Sequence, residues 1–167
     1  TDVGWQDAYG DGQAEFGPLT FVRSFYVLDG QVGGGPSRWT SGFGFYIFTH
    51  GKGIQSTIAD VSRVTIRHVE IEGHGDDGAS ASNDLVYLTN AHSHWVFSHL
   101  YLHDAGRTHF LWRSTTDSII EYSYMARNES TPEQHAEAIS AFGGTDRNTV
   151  RFNVWEDCEG TGVIMVA

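Results

Sequence analysis

The chain is short of cations. Lysine occurs once in 167 residues, at Lys52, and lysine plus arginine total 10 against 21 acidic residues, a formal net charge of −11. With no basic patch, nucleic acid is argued against as a partner, because its phosphates are gripped by Lys and Arg. An acidic surface also repels a polyanionic sugar unless calcium or a local arginine cluster bridges the two. Cysteine is as scarce: Cys158 stands alone, so no internal disulfide can form. Its place, where a loop leaves a strand, suits a buried small hydrophobe better than a reactive thiol. No long apolar run is present, so no transmembrane helix is expected. No 3.6-residue apolar period and no fixed Leu and Asn pattern runs through the chain, which sets aside helical and leucine-rich repeats. There is no initiator Met, and the final VIMVA reads as an open strand, as expected of a piece of a longer chain.

What is present is a repeat. Four segments align: VTIRHVEIE (Val64 to Glu72), WVFSHLYLH (Trp95 to His103), SIIEYSYMA (Ser118 to Ala126) and TVRFNVWE (Thr149 to Glu156). Registered on Arg67, Ser98, Glu121 and Arg151, they stack Ile71, Leu102, Met125 and Trp155 in one column, at spacings of 31, 23 and 30 residues. Val64, Ile66 and His68 share one face and Thr65 and Arg67 the other, a period of two and therefore strand. Each segment is followed by a polar loop and a second short apolar run: LVYLT, FLWRS, AISAF, VIMVA. Strand, bend, strand, variable loop, strand is the signature of a solenoid. The expectation is an all-β parallel β-helix whose coils stack roughly 4.8 Å apart. A β-sandwich with similar strands is the alternative. Glycine, 20 of 167, suits a coil that turns sharply several times per round. The whole of 1–167 reads as one domain, with degenerate coils and loops over 1–60 and regular coils over 61–167. His68 and His99, above Tyr122 and Phe152, are expected in an interior stack.

The second runs suggest a site. Registered on Asp84, His109, Glu137 and Gly162, they put Val86, Leu111, Ile139 and Ile164 inside, and Tyr87, Trp112, Ser140 and Met165 outside. Tyr87 and Trp112, flanked by Leu85 and Phe110, would form a platform for the apolar face of a sugar ring. At its edge stand Asp84, His109 and Glu137, with Asp104, Arg107, Glu129 and His135 in the adjoining loops. His109 and His135 are candidate acids or bases near neutral pH. Glu137 with Asp84 or Asp104 is a candidate glycosidase carboxylate pair. Arg107 or Arg113 would neutralise a uronate. The same charges also fit an Arg–carboxylate ladder that ties the loops down. Arg113 stands out, since this register puts it in an interior column with Leu88, Ala141 and Val166, requiring a buried carboxylate or a bulge. Asp157, Glu159 and Glu129 supply hard oxygens for calcium, although no EF-hand or HExxH spacing is present.

The stretches FYVLDGQ, VTIRHVEIEG, HDAGRTHFLWR, IIEYSYMARNESTPEQHAEAIS and NTVRFNVWEDCEGTGVIM resemble bacterial right-handed parallel β-helix repeat proteins of the pectate-lyase-like superfamily. The resemblance covers nearly the whole chain. It implies the right-handed fold and an extracellular or cell-surface setting, with polysaccharide or a surface glycan as partner. Characterised lyases of that group commonly use calcium plus an Arg or Lys base; here Lys52 lies far from the charged loops. Two functions follow as expectations. One is binding, with or without cleavage, of polysaccharide on an outward aromatic face, the enzyme then being a lyase or glycoside hydrolase. The other is a non-catalytic subunit of a fibre, adhesin or surface layer, self-associating end to end through open strand edges.

Overall fold

The computed structural model describes residues 12–75, 83–129, 136–158 and 162–166. Strands are the only regular structure among them, and every paired strand is parallel to its neighbour. An antiparallel sandwich is therefore excluded. No helix among the described residues is long and apolar enough to cross a membrane.

The chain visits three sheets in turn and returns to each one strand further on. The first sheet holds Val27–Asp29, Thr65–Arg67, Val96–Ser98, Ile119–Glu121 and Thr149–Arg151. The second holds Ala14–Phe16, Phe45–Phe48, Val69–Glu72, Tyr101–Ala105, Tyr124–Asn128 and Val154–Cys158. The third holds Leu19–Thr20, Ile54–Ser56, Val86–Leu88, Phe110–Arg113, Glu137–Phe142 and Gly162–Val166. A short pair, His92–Ser93 and Thr115–Thr116, leads back to the first.

The core is made of vertical columns. Phe16, Ile47, Ile71, Leu102, Met125 and Trp155 follow one another through the second sheet, in the register the repeat implied. Leu28, Ile66, Phe97, Ile120 and Val150 do the same in the first. Ile47, Ile66, Ile71, Phe97, Leu102, Ile120 and Met125 are all fully buried. Residues far apart in sequence thus become packing neighbours because strand pairing fixes their register.

The bend between first and second sheets is a single left-handed residue. His68, His99, Tyr122 and Phe152 have φ of 56°, 55°, 48° and 55°. That conformation costs an L-residue roughly 1–2 kcal/mol. Their rings stack at 4.9, 5.3 and 5.2 Å between centroids, close to the inter-strand repeat, which offsets the strain. This corrects the interior placement expected for His68 and His99: the stack runs along a corner of the molecule, and Phe152 is 63% exposed. The loop 30–44 folds back along this corner. It can do so only because Gly34, at φ 75°, has no side chain: a Cβ there would lie 2.3 Å from the His99 carbonyl oxygen.

Arg–carboxylate pairs climb the outside, each linking one rung to the next: Asp29–Arg67 at 2.8 Å, Asp117–Arg147 at 2.7 Å and Glu121–Arg151 at 2.7 Å. The ladder expected of the loop charges is realised on the strands and corners as well.

Candidate functional site

In the third sheet one strand, Phe110–Arg113, departs from its sequence reading by one residue, while the others keep the register on Asp84, Glu137 and Gly162. Phe110 pairs with Val86 and Ile139, so Asp84 lies opposite Thr108 and Glu137, rather than opposite His109. A slip of one reverses every side chain of a strand. Trp112 therefore points inward between Leu88 and Ala141, 1% exposed, with its ring against Phe97 and Phe110. Phe110 is fully buried. The outward partner of Tyr87 is Leu111, so the Tyr87–Trp112 platform does not form. Tyr87 instead lies under the Lys52 ammonium, 4.5 Å from its ring centre. The same slip resolves Arg113. It is exposed, pairs with Phe142 and lies over that ring, needing neither a buried partner nor a bulge.

The expected polar residues separate into two places. Asp84, fully buried, accepts two hydrogen bonds from Arg107 (Nε 2.8 Å, Nη2 2.5 Å) and one from Thr108 Oγ1 at 2.7 Å. Glu137 is fully buried in the same column, and with Tyr87 it adds to the field that, after the Asp84 hydrogen bonds, holds the Arg107 guanidinium charged. This arrangement anchors the loop before the third sheet. His109 is wholly buried, and its Nε2 donates to the Ala126 carbonyl at 2.9 Å. That burial corrects its expected role as a surface acid or base. His135 and Glu159 lie outside the described residues.

Burial pushes His109 down from 6.5 to about 4. The unfolded chain takes a proton at this site below about pH 6.5, while the folded chain does so only near pH 4. The unfolded state then binds more protons, so stability falls as pH drops through that window. The expected loss is on the order of 3 kcal/mol by pH 4. Urea unfolding at pH 7 and pH 4.5 should show a markedly smaller decline in His109→Gln than in the parent. Equal declines would count against a neutral buried imidazole.

Asp104 is brought elsewhere, to the outer face of the second sheet. Alternation places Tyr46, Glu70, Tyr101 and Tyr124 in one outward column, and Phe48, Glu72, His103 and Ala126 in the next. Asp104 should point the other way. Its φ of 55° breaks the alternation and swings its carboxylate out beside His103. Arg127, its partner on the next rung, makes the same left-handed turn at 51°. The two meet in a bidentate pair, Nε to Oδ1 at 2.7 Å and Nη2 to Oδ2 at 2.8 Å.

The cluster is dense. His103 Nδ1 lies 2.5 Å from Asp104 Oδ2, and its Nε2 lies 3.2 Å from Glu70 Oε1. Tyr46 Oη donates to Glu72 Oε2 at 2.5 Å, and Tyr101 stacks on the imidazole with centroids 4.1 Å apart. The Arg127 hydrogen bond, opposed in part by burial and aided by His103, holds Asp104 down at about 2. Burial alone would lower His103, but its contacts to Glu70 and Asp104 outweigh that and raise it. The site therefore favours the ionised form of Asp104 and the protonated form of His103. Phe43, from the fold-back loop, stacks on Tyr101 at 6.2 Å, and Trp39 lies 6.5 Å from Tyr124. A hollow of about 340 Å³ opens beside Gln13, Val32, Phe43 and Glu70.

Sequence reasoning missed Tyr46, Glu70, Glu72, Tyr101, His103 and Tyr124. A signal was available for most: they flank the core column Ile71, Leu102 and Met125, so alternation already assigns them outward. The calcium expectation fares differently. Asp157 and Glu129 are exposed, and among the described residues the group of three converging donors is Glu72, His103 and Asp104 instead. Cys158 packs against the core, and burial raises its thiol to about 11, as suits an unreactive filler.

Comparison of the chain with known protein families, curated proteins and solved structures gives no match.

Proposed function

We propose that the chain is a right-handed parallel β-helix of the pectate-lyase-like kind that acts outside the cell, holding a polysaccharide against the outer face of the second sheet. Support for the coil comes from parallel sheets visited in turn, and from the right-handed preference of parallel crossovers. The observation that carries the function is a row of part-exposed rings alternating with carboxylates on one face. Tyr46 and Phe48 stand at one end with Glu70 and Glu72; Trp39 and Tyr124 stand at the other with Glu156. Rings stack on the apolar faces of sugars, and carboxylates accept hydrogen bonds from their hydroxyls.

Binding suits this geometry better than cleavage. Each central carboxylate is already engaged: Glu72 by Tyr46, Glu70 by His103, Asp104 by Arg127. A neutral glycan fits best, because the acidic face repels uronates. Affinity electrophoresis on neutral, acidic and amino polysaccharides tests this. Phe48→Ala and Trp39→Ala are each expected to weaken binding to a neutral polysaccharide about tenfold, about 1.4 kcal/mol. Unchanged retardation in both variants, or no retardation of the parent by any polysaccharide, would remove the idea.

A further inference from the structure

We infer that Glu72, His103 and Asp104 form a binding site for a divalent transition-metal ion of the zinc or manganese type. One ligand atom from each lies within 4.8 Å of the other two. His103 and Glu72 are direct register partners on adjacent rungs, and the left-handed backbone at Asp104 adds the third donor from the same side. The imidazole is 6% exposed, so its orientation is set by the fold rather than by solvent.

Each donor also has a hydrogen-bond partner of its own that fixes its orientation. Glu70 Oε1 takes His103 Nε2 at 3.2 Å, which turns Nδ1 inward. Tyr46 holds Glu72 by Oε2, leaving Oε1. Arg127 holds Asp104 through both oxygens, Nε on Oδ1 and Nη2 on Oδ2, and Oδ2 also faces His103 Nδ1. A carboxylate behind a ligating histidine and hydrogen bonds behind ligating carboxylates are the supports that orient ligands at metal centres. His103 Nδ1 and Asp104 Oδ2 lie 2.5 Å apart, and Arg127 Nη2 is 2.8 Å from Oδ2 and 3.1 Å from Nδ1. On binding, the Nδ1 proton leaves to solvent and Nη2 withdraws, keeping its 3.2 Å contact to the Tyr101 hydroxyl.

The donor set selects the ion. One imidazole nitrogen and two carboxylates suit zinc, cobalt or manganese, with water completing the shell. Calcium demands about six to eight oxygens. Metal alone probes this site, with no glycan present.

Calorimetric titration of the whole chain with zinc chloride is expected to show one ion bound per chain, with calcium at least tenfold weaker. Glu72→Gln, Asp104→Asn and His103→Gln should each lose at least tenfold. Glu70→Gln, which touches no metal, should lose roughly 10–100-fold. His50→Ala and Cys158→Ser serve as controls and should bind as the parent does. His50 stacks on His74 at 4.2 Å, a rival imidazole pair. Imidazole nitrogen NMR of the unmodified chain should show His103 Nδ1 shifting on zinc addition, a readout that survives misfolding of any variant. No zinc binding at millimolar metal, loss of binding in His50→Ala, tighter calcium than zinc, or an unmoved His103 signal would each overturn the assignment.

Discussion

Arg107→Ala is expected to destabilise the protein by about 3–5 kcal/mol, because it strands a buried charge. Asp84 is fully buried, and Arg107 supplies two of its three hydrogen bonds. Without the guanidinium, the carboxylate keeps only Thr108, and it must either remain ionised unpaired or take up a proton. The loss therefore reports desolvation rather than the worth of the pair. A double replacement, Asp84→Leu with Arg107→Met, removes the charge and its partner together. It is expected to recover most of the stability, since apolar isosteres of buried pairs are often neutral or better. Urea denaturation at pH 7 gives both numbers. A single-variant loss below about 1 kcal/mol, as for an exposed pair, would show that water reaches Asp84.

Trp112→Ala is expected to cost about 3–5 kcal/mol, the range for deleting a buried large aromatic. Its ring fills the space between Phe97 and Phe110. Tyr87→Ala, on the outward side of the neighbouring rung, should cost much less, since only the Lys52 contact and part of its burial are lost. The two variants together test the register of the third sheet. The alignment on His109 would demand similar, small effects at both positions; the observed pairing demands a large difference. Thermal melts of the pair decide between them.

That contrast also shows where the sequence could be read and where it could not. Within VTIRHVEIE and its relatives, strand alternation and self-similarity act together. The pile of Ile71, Leu102, Met125 and Trp155 was legible for that reason, since shifting any one segment by a residue would put charges into the core. Ahead of the third sheet, no such check operates. GHGDDGASASND, DAGRTH and RNESTPEQHAE differ in length, and aligning them by their last polar residue chose His109 where the fold chose Thr108. The odd position of Arg113 was the one sign of the slip.

The candidate site was hidden for a related reason. Asp104 and Arg127 lie on the outer face only through left-handed turns, at 55° and 51°, which no non-glycine residue advertises. The cover over Tyr101 comes from Phe43, 58 positions earlier in the chain, through a loop that folds back over rungs not yet made.

By itself, then, the amino-acid sequence determined the all-strand parallel architecture, the register of the first and second sheets and the identity of the core column. Period-two alternation repeated in several copies is a property of local order, and local order is written along the chain. Tertiary structure alone decided which sheet carries the site, which residues converge there and which of the expected ones are buried. Those outcomes turn on single-residue offsets and corner dihedrals, whose energies of one or two kcal/mol are settled by packing between rungs rather than by any one segment.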